Sequence, residues 1–200
     1  MTMDYAALTA SHFPLRSLKL APEIKVMSLV SGVKYPVEIT NDNAPYALPY
    51  WHSQALARYI LDNPRLLAGR RVLDVGCGCG AASIAAAKAG ATTVALDPDL
   101  RCLDFTDRNA RANDVTVDLV WGNHRTAVRA DVLLAGGVFH ELHGLEVATK
   151  AKSMPSLIAV SWQNLWDMQG FDEVAVHDMG QSRIHVFKST HLTVEAGNDH

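Results

Sequence analysis

Val72-Leu73-Asp74-Val75-Gly76-Cys77-Gly78-Cys79-Gly80 decides the fold of this chain. Its first four residues read as a buried strand, and the alternating glycines after them read as a tight turn. Ala81-Ala82-Ser83-Ile84-Ala85-Ala86-Ala87-Lys88-Ala89 follows, an alanine-dense run with high helix propensity. Strand, glycine turn and helix start together make a nucleotide cradle. Glycines admit a ligand close to the backbone, and the first helical turn offers N–H groups.

Downstream, strand and helix alternate again. Gly90 stops the helix, and Thr93–Leu96 reads as a second strand ending at Asp97-Pro98-Asp99. A helix is expected over about Leu100–Ala112. A third strand is expected over Val115–Val120, ending at Trp121-Gly122-Asn123, and a fourth over Asp131–Ala135 before Gly136-Gly137. A helix near Leu142–Ala151 and a strand at Leu157–Ser161 add another β–α–β unit. Glu173–His177 and Arg183–Lys188 flank a hairpin-type connection. The pattern predicts an α/β, Rossmann-like fold, with helices around a mostly parallel sheet that carries an antiparallel C-terminal edge hairpin.

Upstream the pattern is weaker. Pro14, Pro22 and Pro36 punctuate residues 1–40, while Leu18-Lys19-Leu20 and Glu23-Ile24-Lys25-Val26 alternate as short extended pieces. This reads as an arm packed on the domain or a small hairpin. Pro45-Tyr46-Ala47-Leu48-Pro49-Tyr50-Trp51-His52 suggests a fixed loop presenting rings, either a lid over the core or a wall of a ligand site. From Ser53, an apparent N-cap, Leu56, Tyr59 and Ile60 fall on one helical face until Asn63-Pro64. The expected division is an N-terminal arm and aromatic loop over 1–52, a cofactor-binding domain over 53–190 and a tail over 191–200.

Of 200 residues, 48% are hydrophobic and 20% charged, with a formal net charge of -3. This composition fits a globular domain and argues against nucleic acid as a bulk electrostatic partner. No apolar run is long enough to span a membrane. Residues 1–14 lack Lys and Arg, so neither a secretory signal nor a transit peptide is expected. Three cysteines make no disulfide framework, and a cytoplasmic location is expected.

Two cofactor classes suit a strand–glycine turn–helix unit. For a dinucleotide, Gly76, Gly78 and Ala81 fit the expected spacing loosely, with Asp97 about twenty residues on. Asp74, two residues before the first glycine, favours S-adenosylmethionine instead. A carboxylate there can hold a cationic amino-acid group, directly or through water, and repels a pyrophosphate. Asp97 can accept ribose hydroxyls in either class. Trp121, Gly122 and Asn123 offer an indole face and polar groups to an adenine. Candidate cofactor-binding residues on this reading are Asp74, Gly76, Gly78, Gly80, Asp97, Trp121, Gly122 and Asn123, with Ala135 at the end of the fourth strand, S-adenosylhomocysteine as the product form and no metal.

Asp74-Val75-Gly76-Cys77-Gly78-Cys79-Gly80 resembles motif I of the class I, seven-β-strand methyltransferases. A wider similarity runs from about Leu20–Ile24 through Tyr50–Tyr59 to about Lys188, and its most specific part is Gln54–Tyr59 with Leu61–Pro64. There the chain resembles the lysine methyltransferases of the electron-transfer-flavoprotein β-subunit type and their bacterial relatives. The resemblance implies a seven-stranded sheet, S-adenosylmethionine, a protein lysine as acceptor and a place beside the cofactor for Trp51. Trp121-Gly122 is similar to a tryptophan–glycine pair of related enzymes. Those enzymes usually follow the fourth strand with an Asp, two residues and a Tyr or Phe that place the amine. Here the positions read Gly137-Val138-Phe139-His140.

His140 is a candidate base or amine orienter, and Glu141 a candidate attractor for a cationic substrate. The bland alternative for Glu141, as for His143, is a solvent-facing place in the first turn of the next helix, where an acid is favourable anyway. Cys77 and Cys79 stand near a helix start, where a thiol pKa can drop, but small side chains in such a turn serve fit. Three readings remain open: a protein lysine N-methyltransferase, a small-molecule (amine) methyltransferase with space opened at Gly137, and a cofactor-binding pseudoenzyme. Neither nucleic acid nor membrane is an expected partner.

Overall fold

In a computed structural model, the structure describes residues 13–28, 48–136, 151, 153–161, 170–180 and 182–190. Its strands are β1 (Leu15–Ser17), β2 (Lys25–Met27), β3 (Arg71–Val75), β4 (Thr92–Asp97), β5 (Asp118–Trp121), β6 (Val132–Gly136), β7 (Ser156–Ser161), β8 (Phe171–Asp178) and β9 (Arg183–Ser189). The helices are α1 (Trp51–Asp62), α2 (Ala81–Lys88) and α3 (Leu100–Arg111), with a 3-10 turn over Pro64–Leu66. Seven strands form one sheet in the order β5-β4-β3-β6-β7-β9-β8. Neighbours from β5 to β7 are parallel, and β9 runs antiparallel between β7 and β8.

Central strands read as continuous apolar runs because both of their faces are buried. Along β6, Val132 and Leu134 enter one core cluster, while Leu133 and Ala135 enter the other. The first cluster takes Leu56 and Ile60 of α1, Ile84 of α2 and Leu103 of α3. Alanines 81, 82, 85 and 86 are all buried, so α2 fits against α1 without bulky intervening side chains. The second cluster holds Ala151 and Met154 against β3, β4, β6 and β7. Ala151 is helical; the rest of the helix expected over 142–151 lies outside the described residues. Among the described residues no helix is long and apolar enough to cross a membrane.

Several boundaries differ from the sequence reading, three of them for a structural reason that can be named. The first arm strand is Leu15–Ser17 rather than Leu18–Leu20, because Leu18 turns inward, 3% exposed, and its N–H closes the hairpin on the Ile24 carbonyl at 2.9 Å. The edge strand β5 begins at Asp118. Val115 and Val117 are covered by packing into the first cluster from the preceding segment, without pairing to β4. Helix α1 begins at Trp51, with Tyr50 at the N-cap position, so Trp51 and His52 belong to its first turn. Ser53 is not the cap: its hydroxyl donates to the Tyr50 carbonyl at 2.8 Å, one turn back.

Candidate functional site

The carboxyl ends of β3, β4, β5 and β6 meet at one side of the sheet, at Val75, Asp97, Trp121 and Gly136. The chain leaves β3 toward β4 and β6 toward β7, so a crevice opens between these two neighbours. The glycine turn fills the rim beside it. Gly76, Gly78 and Gly80 have φ of 68°, 54° and 81°, left-handed values that cost an L side chain roughly 1–2 kcal/mol each.

The turn is closed upon itself and upon β4. Gly76 N–H donates to Leu96 O at 2.8 Å, Gly80 N–H to Cys77 O at 2.8 Å and Gly78 N–H to Asp97 Oδ2 at 3.1 Å. Cys77 N–H reaches the same Leu96 carbonyl at 3.4 Å. A phosphate-binding turn aims such groups at its ligand. Here four of them are already paired with protein acceptors, and two carboxylates stand beside the turn. This combination is poor for a pyrophosphate and suits a ligand that brings hydroxyls and positive charge.

Asp97, 6% exposed, also accepts the Asp99 N–H on Oδ1 at 2.9 Å, so two backbone donors aim its carboxylate. Burial raises its pKa, opposed by those two hydrogen bonds. Asp99 in turn caps α3 by accepting Arg101 N–H, and the Arg101 guanidinium holds its pKa low. At the end of β5, Trp121 is 67% exposed, with its ring fixed by an Nε1–H bond to Pro98 O at 3.0 Å. Gly122 N–H donates to Asp97 O at 3.1 Å, and a Cβ at Gly122 would collide with Thr126. Asn123 Oδ1 is occupied by Arg125 N–H at 2.9 Å, which leaves its amide nitrogen as the group a ligand could meet. Leu100, at the start of α3, is 62% exposed beside the same rim.

Asp74 lies deeper, 2% exposed, and accepts the Ser83 hydroxyl at 2.6 Å. Burial pushes its pKa up to about 6, against the Ser83 bonds that lower it. An unfolded carboxyl releases its proton near 3.9. Between about pH 4 and 6 the folded chain therefore holds a proton that the unfolded chain has lost, and stability falls as pH rises through that window. Asp74→Asn keeps an acceptor for Ser83 and removes this loss. Thermal melts of the ligand-free variant should show a Tm several degrees above the parent at pH 7.5, converging with it near pH 4. Equal melting temperatures at pH 7.5 would count against a buried, raised carboxyl.

The thiols follow the fit reading rather than the helix-start one. Burial pushes Cys79 up to about 11 and raises Cys77 and Cys102 as well, with nearby carboxylates adding to the effect at each. All three are buried and free, so they act by shape. Trp51 opens α1, and its Nε1–H is buried with no hydrogen-bond partner among the described residues. Ala135 is fully buried within β6, its methyl group in the second cluster, so only its backbone could meet a ligand. His140 and Glu141, with Gly137, lie outside the described residues.

Three contributors escape a linear reading: Ser83, Thr106 and Asn109. Ser83 is the one polar residue between Ala81 and Ala87, and that isolation is its signal. Thr106 Oγ1 donates to Gly78 O at 3.2 Å and lies 3.5 Å from Cys77 Sγ, while Asn109 Nδ2 donates to Cys79 O at 2.8 Å.

The family model for ribosomal protein L11 methyltransferase (PrmA) matches residues 54–155, just over half of the chain and the part that builds this crevice. The chain belongs to the PrmA methyltransferase family. S-adenosylmethionine is the cofactor of that family. The PrmA-family chain is 36% identical over 138 residues to an electron transfer flavoprotein beta subunit lysine methyltransferase of Danio rerio, covering 64% of this chain and 52% of the relative. The Xenopus laevis counterpart is 56% identical over 88 residues, 42% of this chain and 35% of the relative. The chain thus spans about half, or less, of the length of these curated relatives. A ribosomal protein L11 methylase from Lactobacillus delbrueckii subsp. bulgaricus shares the fold, with a TM-score of 0.63 at 15% identity, over 87% of this chain and 98% of that one.

Proposed function

We propose that this chain is an S-adenosylmethionine-dependent methyltransferase acting on a nitrogen nucleophile, the side chain of a protein lysine. The observation that carries the donor assignment is the pairing of the glycine-turn N–H groups between two buried carboxylates. Asp97 would hold the ribose hydroxyls, Asp74 the ammonium group, Trp121 the adenine face and Asn123 its polar edge. The buried Trp51 N–H is a donor suited to a carboxylate. When bound, S-adenosylmethionine supplies a methyl group on a sulfonium centre.

The acceptor assignment draws support from the lysine methyltransferases that the chain is similar to. A lysine amine, with a reference pKa near 10.4, must lose its proton before it can act as a nucleophile. His140, in the segment that follows β6 in sequence, is the proposed base or orienter of that amine, and Glu141 the proposed attractor of a cationic substrate. Incubation with methyl-labelled donor and a cell lysate tests the acceptor class, before and after small molecules are removed. Label on lysine in the high-mass fraction is expected in both. Label confined to the low-mass fraction would sink the protein-lysine reading in favour of a small-molecule acceptor.

A further inference from the structure

Three buried side-chain amides tie the β1–β2 hairpin to both walls of the crevice, the glycine turn after β3 and the start of α1, whose Ser53 and Leu56 lie against Gly136 at the end of β6. Asn109 of α3 is fully buried; its Oδ1 accepts Met27 N–H at 2.8 Å, and its Nδ2 donates to Cys79 O at 2.8 Å, inside the glycine turn. One helical turn on, Asn113 Oδ1 accepts Lys25 N–H at 2.9 Å, and its Nδ2 donates to Lys25 O at 2.5 Å and Asn109 O at 2.7 Å. Together the two amides offer β2 the pairing that a neighbouring strand would.

Gln54 of α1 repeats the device on the other wall. Its Oε1 accepts Lys19 N–H at 2.9 Å and Leu20 N–H at 3.4 Å, while its Nε2 donates to Pro49 O at 2.6 Å, two residues before Trp51. Gln54 and Asn113 are each 6% exposed. By contrast the Arg58–Glu23 ion pair, 2.8 Å, lies at the solvent edge and adds little. In a satisfied buried network, moving one member leaves another polar group unpaired, so the members move together or not at all.

We propose that the β1–β2 hairpin is a strap that holds the two walls of the donor crevice in register, with Asn109 and Gln54 as its positioning residues. The role of the crevice as a donor site rests on the reading above, whereas the coupling between hairpin and turn exists without ligand. Neither amide touches the reacting atoms. They act through the Cys79 carbonyl on one side and the Pro49 carbonyl on the other.

Two variants cut the strap at different points. Asn113→Ala releases β2 and makes no contact with the glycine turn. Asn109→Asp keeps an acceptor for Met27 and replaces the donor to Cys79 with a carboxylate oxygen. Hydrogen–deuterium exchange of the ligand-free protein reads the coupling, and calorimetric titration with S-adenosylhomocysteine reads its consequence. In Asn113→Ala, the Gly78 and Gly80 amides should exchange about tenfold faster, together with Lys25 and Met27, while β3 and β4 stay protected. Affinity should fall roughly three- to tenfold, in line with one lost hydrogen bond.

A folded Asn113→Ala with a loosened hairpin but parental turn exchange and affinity overturns the proposal. Asn109→Asp decides it if Asn113→Ala does not fold: its hairpin amides should stay protected while affinity drops, and unchanged affinity overturns the strap. If the parent itself binds no S-adenosylhomocysteine, the donor reading fails, and the exchange comparison still decides the coupling.

Discussion

Replacing Asp97 with alanine is expected to give a folded protein whose affinity for S-adenosylhomocysteine is lower by a hundredfold or more. The Asp97 carboxylate takes the N–H groups of Gly78 and Asp99 at 3.1 and 2.9 Å in a site that is 6% exposed. Without it both donors lose their partner, at a cost of about 1–3 kcal/mol for each that stays dry. The two acceptor positions proposed for the ribose hydroxyls vanish at the same time. A hundredfold corresponds to about 2.7 kcal/mol, within reach of these terms together. Asp97→Asn can still accept from one backbone donor but turns an NH2 toward the other, so an intermediate loss of about tenfold is expected. Calorimetry with circular-dichroism melts alongside checks both. Binding by folded Asp97→Ala within threefold of the parent would falsify the ribose assignment.

The second large effect falls on stability. Gly80 has φ of 81°, and a Cβ built on it would lie 2.8 Å from both Cγ2 and Oγ1 of Thr106. Thr106 has no room to retreat: it is fully buried, and its hydroxyl is bonded to the Gly78 carbonyl. Gly80→Ala therefore combines a left-handed penalty of roughly 1–2 kcal/mol with an overpacking penalty of about 1–3 kcal/mol. For a chain of this size the sum lowers Tm by roughly 5–15 °C. Adding Thr106→Ala removes both clashing atoms, so the double variant should recover the steric share and keep the conformational one. A double variant no more stable than Gly80→Ala would show that backbone conformation alone sets the cost.

The readable part of the fold is that in which local order fixes position. The glycine turn follows β3 directly, and Asp97 and Trp121 end strands whose apolar runs are plain in the sequence. Covalent order alone therefore delivers these side chains to one edge of the sheet. Parts that depend on packing between distant segments are not visible in this way. Val115 and Val117 look like strand residues, yet before β5 begins Val117 is buried and Val115 half-buried against the same cluster. Asn109 and Asn113 look like ordinary polar positions of a helix. Only their i, i+4 spacing hints at a shared face, and nothing local points to a hairpin more than eighty residues away. Cys77 and Cys79 show the competition directly: proximity to a helix start argues for a lower pKa, and burial reverses it.

The order of strands also sets a timetable for assembly. β9, the last of the described strands in sequence, lies between β7 and β8, both of which are synthesised before it. At about 5–20 residues per second, a ribosome takes a few seconds to pass from the end of β7 to the end of β9. Until β9 pairs, the β7 edge of the sheet lacks its partner for backbone donors and acceptors, and β8 has no neighbour among the described strands. The N-terminal half of the sheet can pair as it emerges, but its other half waits for a keystone. Whatever guards a folding chain against edge-to-edge association has most to do here, until Arg183–Ser189 has paired on both sides.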